Sequence, residues 1–428
     1  MNRGSAGQLH QPRRLAAGAL SLVLVISVII SALLLSLVFL YASSQTLLLH
    51  YRLTAEVQRN ARSGLAYLLG DPAFPNFQPV SLDLYGQGND SVQLEKRPWG
   101  LFDVVIARAS KSGRQDTVMA LVGSHFAAPG LAALYVADGQ KPLSLIGTSQ
   151  VVGDCYTPRS GIRPGFLSTH NQPQPKELVT GQIRISKASL PVRVDSTVNC
   201  LRDFSQGAVA AWLPRQAQAL RTLHSISRSF SQPPLVWFQT RPATIQHVAL
   251  SGPIVLVSTH KLLLESDARL DNVLIIAPVV VVKSGFQGRI QVFARDTIQV
   301  QADCQLAYPS ALCAYNTQGA ATVLLGERSQ VSGIVLAATP TGSTAPSLLR
   351  MHESTRVAGQ VYAADVLENC GQITGTVMCR RLGYATASSF YENYLVDSRI
   401  ERDLLPADFL SAKLLNPAAS LGILAWLP

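Results

Sequence analysis

The strongest constraint on this chain is an uncharged apolar run over residues 15–41, LAAGALSLVLVISVIISALLLSLVFLY. At about 1.5 Å of rise per helical residue, it outspans a bilayer hydrocarbon core of roughly 30 Å, so it predicts a single transmembrane helix. Arg3, Arg13 and Arg14 precede it and the next charge is Arg52. The positive-inside rule then leaves a short cytoplasmic N-terminus and puts the bulk of a single-pass, inner-membrane protein in the periplasm or outside the cell. A cleaved secretory signal is the alternative, but its apolar region is normally about 7–15 residues.

The helical pattern runs on past the membrane. Leu49, Leu53, Val57, Ala61 and Leu65 recur every four residues, while Arg52, Glu56, Arg59 and Arg62 fall elsewhere on the helix. These five apolar residues are the expected helix-packing surface. Gly70, Asp71, Pro72 and Pro75 end the pattern. The chain therefore divides into a leader (1–14), a transmembrane helix (15–41), an exported amphipathic helix (42–70), a β-rich region (71–145), a β-solenoid with an insert (146–385) and a capping segment (386–428).

Composition narrows the exported part. Charged residues are 14% of the 428, against a usual quarter, and β-branched and small polar residues abound between Gly and Pro. This favours β structure. The net charge of +10 is scattered rather than clustered with aromatics, so no nucleic-acid partner is expected, although an anionic glycan remains an alternative. Six cysteines, Cys155, Cys200, Cys304, Cys313, Cys370 and Cys379, suit disulfides in an oxidising compartment. Cys304 with Cys313 and Cys370 with Cys379 share one short separation, which leaves Cys155 with Cys200, out of fifteen possible connectivities. With no CxxC and no His at ligand spacing, neither a zinc site nor any other cofactor is expected.

The basic leader, the small-residue junction at Gly18 and Ala19, and an apolar helix whose amphipathic half ends ARSGLAYLL resemble the N-terminal segment of type IV pilin-like proteins, notably the pilX-type and K-type minor pseudopilins. The likeness covers about the first 70 residues. It implies that a prepilin peptidase cuts after Gly18, making Ala19 the new N-terminus, and that the helix packs against other pilin-like or envelope proteins as well as lipid. Val23 stands fifth from that junction, where major pilins carry Glu, and Arg14 lies four residues before the Gly. This departure points to a tip-like or non-polymerising part. The stretches ALYVADGQKPLSLIGTSQVVGDCYTPRSGIRPGF and SSFYENYLVDSRIERDLLPADFL are similar to a family of uncharacterised exported proteins of Bacteroidota. That likeness implies a fold and a phylum and no activity.

Short alternating runs from Phe74 to Val122 predict strands, with tight turns at residues 86–90 and 111–113. Beyond Ile254, a turn recurs at Ser266, Ser284 and Ala302, in equal steps of 18 residues. Equal steps predict stacked units. The intervening runs alternate apolar residues, so that Val279, Val281, Ile290 and Val292 are expected to line one interior. QVSGIVL, RVAGQVY and QITGTVM repeat one motif in which Gly333, Gly359 and Gly375 would let a corner bend or the next coil pass close, and SQVVGDCY and ELVTGQIRI share it. The fold expected is mainly β, a parallel β-helix or solenoid behind the long helix, closed by a C-terminal helical cap. A β-sandwich is the alternative.

Chemistry is sparse. Asp267 with Asp271, Asp296 with Asp303, and Asp365 with Glu368 are the nearest to converging carboxylates, but Arg269, Arg295, Arg380 and Arg381 accompany them, as in solvated turns. GxSxG, GxxxxGK[ST] and GxGxxG are absent, Ser124 and His125 are merely adjacent, and His247, His260 and His352 are isolated. Trp99, Trp212, Trp237 and Trp426 are too dispersed for an aromatic platform. The expectation is a non-enzymatic, membrane-anchored envelope protein. A membrane-tethered glycan-binding or glycan-cleaving β-helix and a bitopic adhesin are the alternatives.

Overall fold

The computed structural model describes residues 18–86, 88, 90–126, 131–168, 170, 172–206, 208, 218–220, 222–369, 371–386, 388–415 and 419–427. The leader, with Arg3, Arg13 and Arg14, lies outside them, as do Trp212 and Cys370.

Helix α1 runs unbroken from Gly18 to Gly70, about 80 Å at 1.5 Å per residue. No Pro interrupts it, and its hydroxyls turn back onto the helix: Ser27 and Ser44 donate to the Val23 and Leu40 carbonyls at 2.8 Å. The helix stops where the Asp71 N–H reaches back to the Leu68 carbonyl and the Asp71 side chain accepts from the Ala73 N–H.

The chain then builds an antiparallel sheet from β1 (Val80–Leu82), β2 (Asp90–Trp99), β3 (Phe102–Lys111) and β4 (Arg114–Ser124). The β3–β4 turn holds two residues, Ser112 and Gly113, both with positive φ, the geometry that matches the twist of a hairpin. The fifth strand, Leu421–Leu427, comes from the far end of the chain and lies antiparallel to β4. The expected helical cap is absent from the described C-terminal residues. They form the short strands Phe390–Glu392, Tyr394–Val396 and Arg399–Glu401 before that edge strand. Asn393 and Asp397 take left-handed backbone conformations between them, which a helix does not tolerate.

All the remaining strands but three belong to one closed arrangement that is parallel almost throughout. The strand Arg269–Val282 shows how it is wound: its three parts pair with three different earlier strands, Ala249–Ser251, Ile254–Ser258 and Leu262–Leu264. Register shifts mark the two corners, at Asp271/Val273 and Ala277/Val279. One inward column reads Trp237, Leu256, Ile275, Val292, Leu312, Val335, Val361, Val377, Leu134, Cys155, each residue opposite the next. All ten are buried in one apolar cluster. Ile290 and Val292 face inward as expected, but Val279 and Val281 do not; Val280 and Val282 take those places. The register shift beside Pro278 moves the alternation by one residue.

Gly333, Gly359 and Gly375 stand directly opposite one another. A Cβ on Gly359 would lie 2.0 Å from the Gly333 carbonyl oxygen, and one on Gly375 1.9 Å from that of Gly359. The repeated Gly thus marks the closest approach between successive strands. The order of the stack departs from the order of the chain. Strand Gln372–Ala385 pairs on one part with Arg399–Glu401 and on another with Leu134–Val136. Arg399–Glu401 in turn pairs with Gln150–Val152. Two distant stretches of sequence thus pair with the same strand of the parallel arrangement.

The layers follow from the two faces of the antiparallel sheet. Val92, Leu94, Val105, Ala107, Ala120 and Val122 face α1. Trp99, Phe102, Val104, Ile106 and Leu121 face the parallel wall and helix α2 (Asp195–Ser205), which contributes Cys200, Leu201 and Phe204.

Candidate functional site: a helix half exposed and half packed

Gly18 is the first residue of α1, and Ala19 follows it in the first turn. From there to His50 every residue of the helix is exposed, and none of them is Asp, Glu, Lys or Arg. This is the one described helix long and apolar enough to cross a membrane. Exposing so many large apolar side chains to water is unfavourable by about 25 cal/mol per Å².

The same helix changes partner within a few turns. Of the five expected packing residues, Leu49 is exposed, Leu53 is half-buried, and Val57, Ala61 and Leu65 are buried against the antiparallel sheet together with Leu68. The contact is close. A Cβ on Gly64 would lie 2.5 Å from Val92 Cγ1, so the absence of a side chain at that position brings the helix onto β2. Polar ties fix the azimuth: buried Asn60 donates to Asp90 Oδ2 at 3.0 Å, and Lys111 pairs with Glu56 at 3.2 Å. The Arg114 guanidinium lies 2.6 Å from His50 Nδ1 at the last exposed turn. The helix and the body therefore form one lever.

The acids weighed as catalytic candidates are each paired with an Arg or His side chain. Asp303 takes two hydrogen bonds from Arg328, at 2.7 and 2.8 Å, and Asp365 pairs with Arg381 at 3.0 Å. Asp271 pairs with Arg289, Asp296 with Arg295, Asp267 with His247, and Glu368 with Arg350. His352 lies 3.7 Å from Glu327, and His260 contacts the Thr259 hydroxyl. Most of these pairs join residues 16 to 25 positions apart, on segments that neighbour one another in the parallel arrangement. Among the described residues, no three His, Cys, Asp or Glu side chains are grouped to hold a metal.

The five described cysteines, Cys155, Cys200, Cys304, Cys313 and Cys379, are free thiols, so the expected disulfides are absent among them. The strand wall explains why. Cys304 and Cys155 face the interior, whereas Cys313 faces outward from the wall and Cys200 sits on α2. Burial pushes the Cys155 thiol up to about 12 and raises Cys200, Cys313 and Cys379 as well.

Two polar constellations have no signature in the sequence. His170 Nδ1 lies 2.6 Å from Asp397 Oδ2, and its Nε2 lies 2.7 Å from the Tyr384 hydroxyl. Asp397 also accepts from the Thr148 N–H at 2.9 Å. His170 lies 214 positions from Tyr384 and 227 from Asp397, and the pairing of distant strands brings them together. The second is a cavity of about 660 Å³ lined by Lys96, Asp103, Cys200 and Lys413, at the β2–β3 end of the antiparallel sheet, against residues 72–76 and the start of α2.

No family model matches the chain, and no curated protein does. The resemblance to a Bacteroidota family thus has no support from these comparisons. Among solved structures, the chain is similar to the competence-associated pilin ComZ from Thermus thermophilus, at 11% identity and a TM-score of 0.24, over 88% of this chain and 97% of that one. A likeness of that strength carries no argument about function, which has to be read from this chain's own residues.

Proposed function

We propose that the protein is a membrane-anchored structural component of the cell envelope, a minor pseudopilin-like part of a secretion or pilus-like assembly. Its N-terminus is cytoplasmic, its anchor sits in the inner membrane, and the body is exported. One observation carries this reading: a single unbroken helix is exposed and uncharged from Gly18 to His50 and buried on its own body's sheet from Val57 to Leu68. A simple tether would need no rigid junction between anchor and body. A part that transmits position or packs laterally among other helices does. The closed parallel arrangement is read as a three-faced β-solenoid, supported by the three partners of strand Arg269–Val282 and by the inward columns. Its work is done by surfaces rather than by catalysis; the pairing of each candidate acid with Arg or His supports that reading.

Mass spectrometry of the membrane-purified protein tests the processing step. A mature N-terminus at Ala19 supports the pilin-like reading; a start at Met1, or at any residue other than Ala19, overturns it and leaves the anchor standing.

A second reading, a tethered glycan-binding protein, is favoured by an aromatic group around Tyr391. The Tyr391 ring lies 5.3 Å from Tyr394 and 6.3 Å from Tyr384, with exposed Phe390 next in sequence. Retention on immobilised cell-wall glycan that is lost in Tyr391→Ala would favour it; equal elution of both proteins would remove it.

A further inference from the structure

We propose that the cavity at the β2–β3 end of the antiparallel sheet, lined also by residues 72–76 and the start of α2, is a binding site for a small ligand carrying an oxyanion, a carboxylate or a phosphate, that takes Lys96 as its counter-charge. This inference does not depend on the anchor or on processing.

Lys96 lies in β2 and is only 4% exposed, yet its ammonium makes no hydrogen bond or ion pair among the described residues. An ammonium confined to a cavity with no counter-charge in contact is held at a cost that a bound anion would relieve. The neighbouring acid does not neutralise it by contact. Lys96 stands opposite Val105 and Asp103 opposite Pro98, so the two are diagonal neighbours on the sheet, influencing each other's charge without forming an ion pair. Burial pushes Lys96 below its ordinary value and lifts Asp103 above its own. Both shifts are those of groups held in an apolar surround without close compensation.

Two further donors converge on the space. Lys413 lines it and spends one ammonium proton on the Pro72 carbonyl at 3.1 Å, leaving two. Ser196 and Thr197, in the first turn of α2, also line it, where helix geometry leaves N–H groups without intrahelical acceptors. Phe74, Phe102 and Leu421 supply apolar walls. At about 660 Å³, the space is in the range of small-molecule sites, roughly 300–1,000 Å³. A ligand oxyanion would receive Lys96 and the helix N–H groups, and Asp103 is placed to accept a hydrogen bond from the ligand's body.

The test uses the full chain in lipid nanodiscs, titrated separately with sodium phosphate and with sodium succinate at constant ionic strength. Binding is read by calorimetry, and by mass-spectrometric protection of Lys96 from acetylation. The expected result is saturable binding of at least one probe with protection of Lys96, weakened about tenfold or more in Lys96→Met. Saturation by phosphate alone assigns a phosphate-bearing ligand, by succinate alone a carboxylate, and by both an oxyanion of either kind. Since Lys96→Met removes an uncompensated charge, its melting temperature is expected to equal or exceed that of the wild type. No saturation by either probe, or equal binding by Lys96→Met, overturns the proposal. The protection experiment on the unmodified protein decides the matter if the variant does not fold.

Discussion

The Gln291 side chain leaves the parallel wall and closes on Leu101, its Oε1 accepting the Leu101 N–H at 2.9 Å while its Nε2 donates to the neighbouring Trp99 carbonyl at 2.9 Å. Gly100, between them, has φ +67°, and a Cβ there would lie 2.2 Å from Gln291 Oε1. One buried amide thus partners two polar groups of the β2–β3 turn and fastens the sheet that carries α1 to the wall. The helix, the sheet and the stack are mechanically continuous through this point.

Gln291→Ala leaves the Trp99 carbonyl and the Leu101 N–H without their partner and is expected to destabilise the junction by about 2–3 kcal/mol. Hydrogen exchange should show faster exchange at Leu101 and in β3, with protection along Ile298–Val300 retained. Uniform loss of protection across the whole protein, or none, would contradict a local fastening role.

Gly359→Ala places a Cβ 2.0 Å from the Gly333 carbonyl at φ +140°, and is expected to cost about 3 kcal/mol or more. Gly113→Ala, at φ +76° with open space around it, carries backbone strain alone, about 1 kcal/mol. Denaturant midpoints of the two variants should separate clearly in that order. Similar midpoints would mean that the glycine column does not set the spacing of the stack.

The buried thiols give a pH dependence of defined sign. Folding raises the Cys155 value from 9.0 to about 12, so the neutral thiol is favoured in the folded state. That contribution to stability is complete below about pH 9 and is lost as the pH rises towards 12. Under reducing conditions, stability should therefore fall over that interval, and Cys155→Ser should fall less steeply. Iodoacetamide at pH 8 should leave Cys155, Cys304, Cys313 and Cys379, which lie outside the Lys96 cavity, unmodified until the protein is unfolded. Rapid labelling of the native protein would contradict their burial.

Much of this architecture is legible in the residues, and the parts that are not have a physical reason. The uncharged run and the four-residue spacing of Leu49 to Leu65 point to α1 because a helix needs only local pattern. The 18-residue steps and the Gly333, Gly359 and Gly375 motif are legible because parallel pairing sets Leu270, Gly288 and Leu306 opposite one another, and likewise the three glycines. The inward alternation is misread at Val279 and Val281 because a one-residue register shift beside Pro278 flips every following side chain. The C-terminal strands mislead because Leu421–Leu427 acquires its strand character from a partner, β4, some 300 positions earlier. The cysteines mislead because equal separations along the chain ignore the wall that divides Cys304 from Cys313. The His170, Asp397 and Tyr384 group and the Lys96 cavity carry no sequence signal at all, since each is assembled from distant segments.

The central claim is that one helix is lipid-embedded at its start and built into the exported body at its end. Nitroxide labels introduced singly at Leu24, Ile30, Phe39, Leu49, Val57 and Leu65 in the reconstituted full chain test it most directly, with accessibility to oxygen and to a water-soluble nickel chelate as the readout. The account predicts oxygen-accessible, chelate-inaccessible labels at Leu24, Ile30 and Phe39, and labels shielded from both at Val57 and Leu65. Chelate access at Leu24 and Ile30, or oxygen access at Val57 and Leu65 equal to that at Leu24, would contradict it.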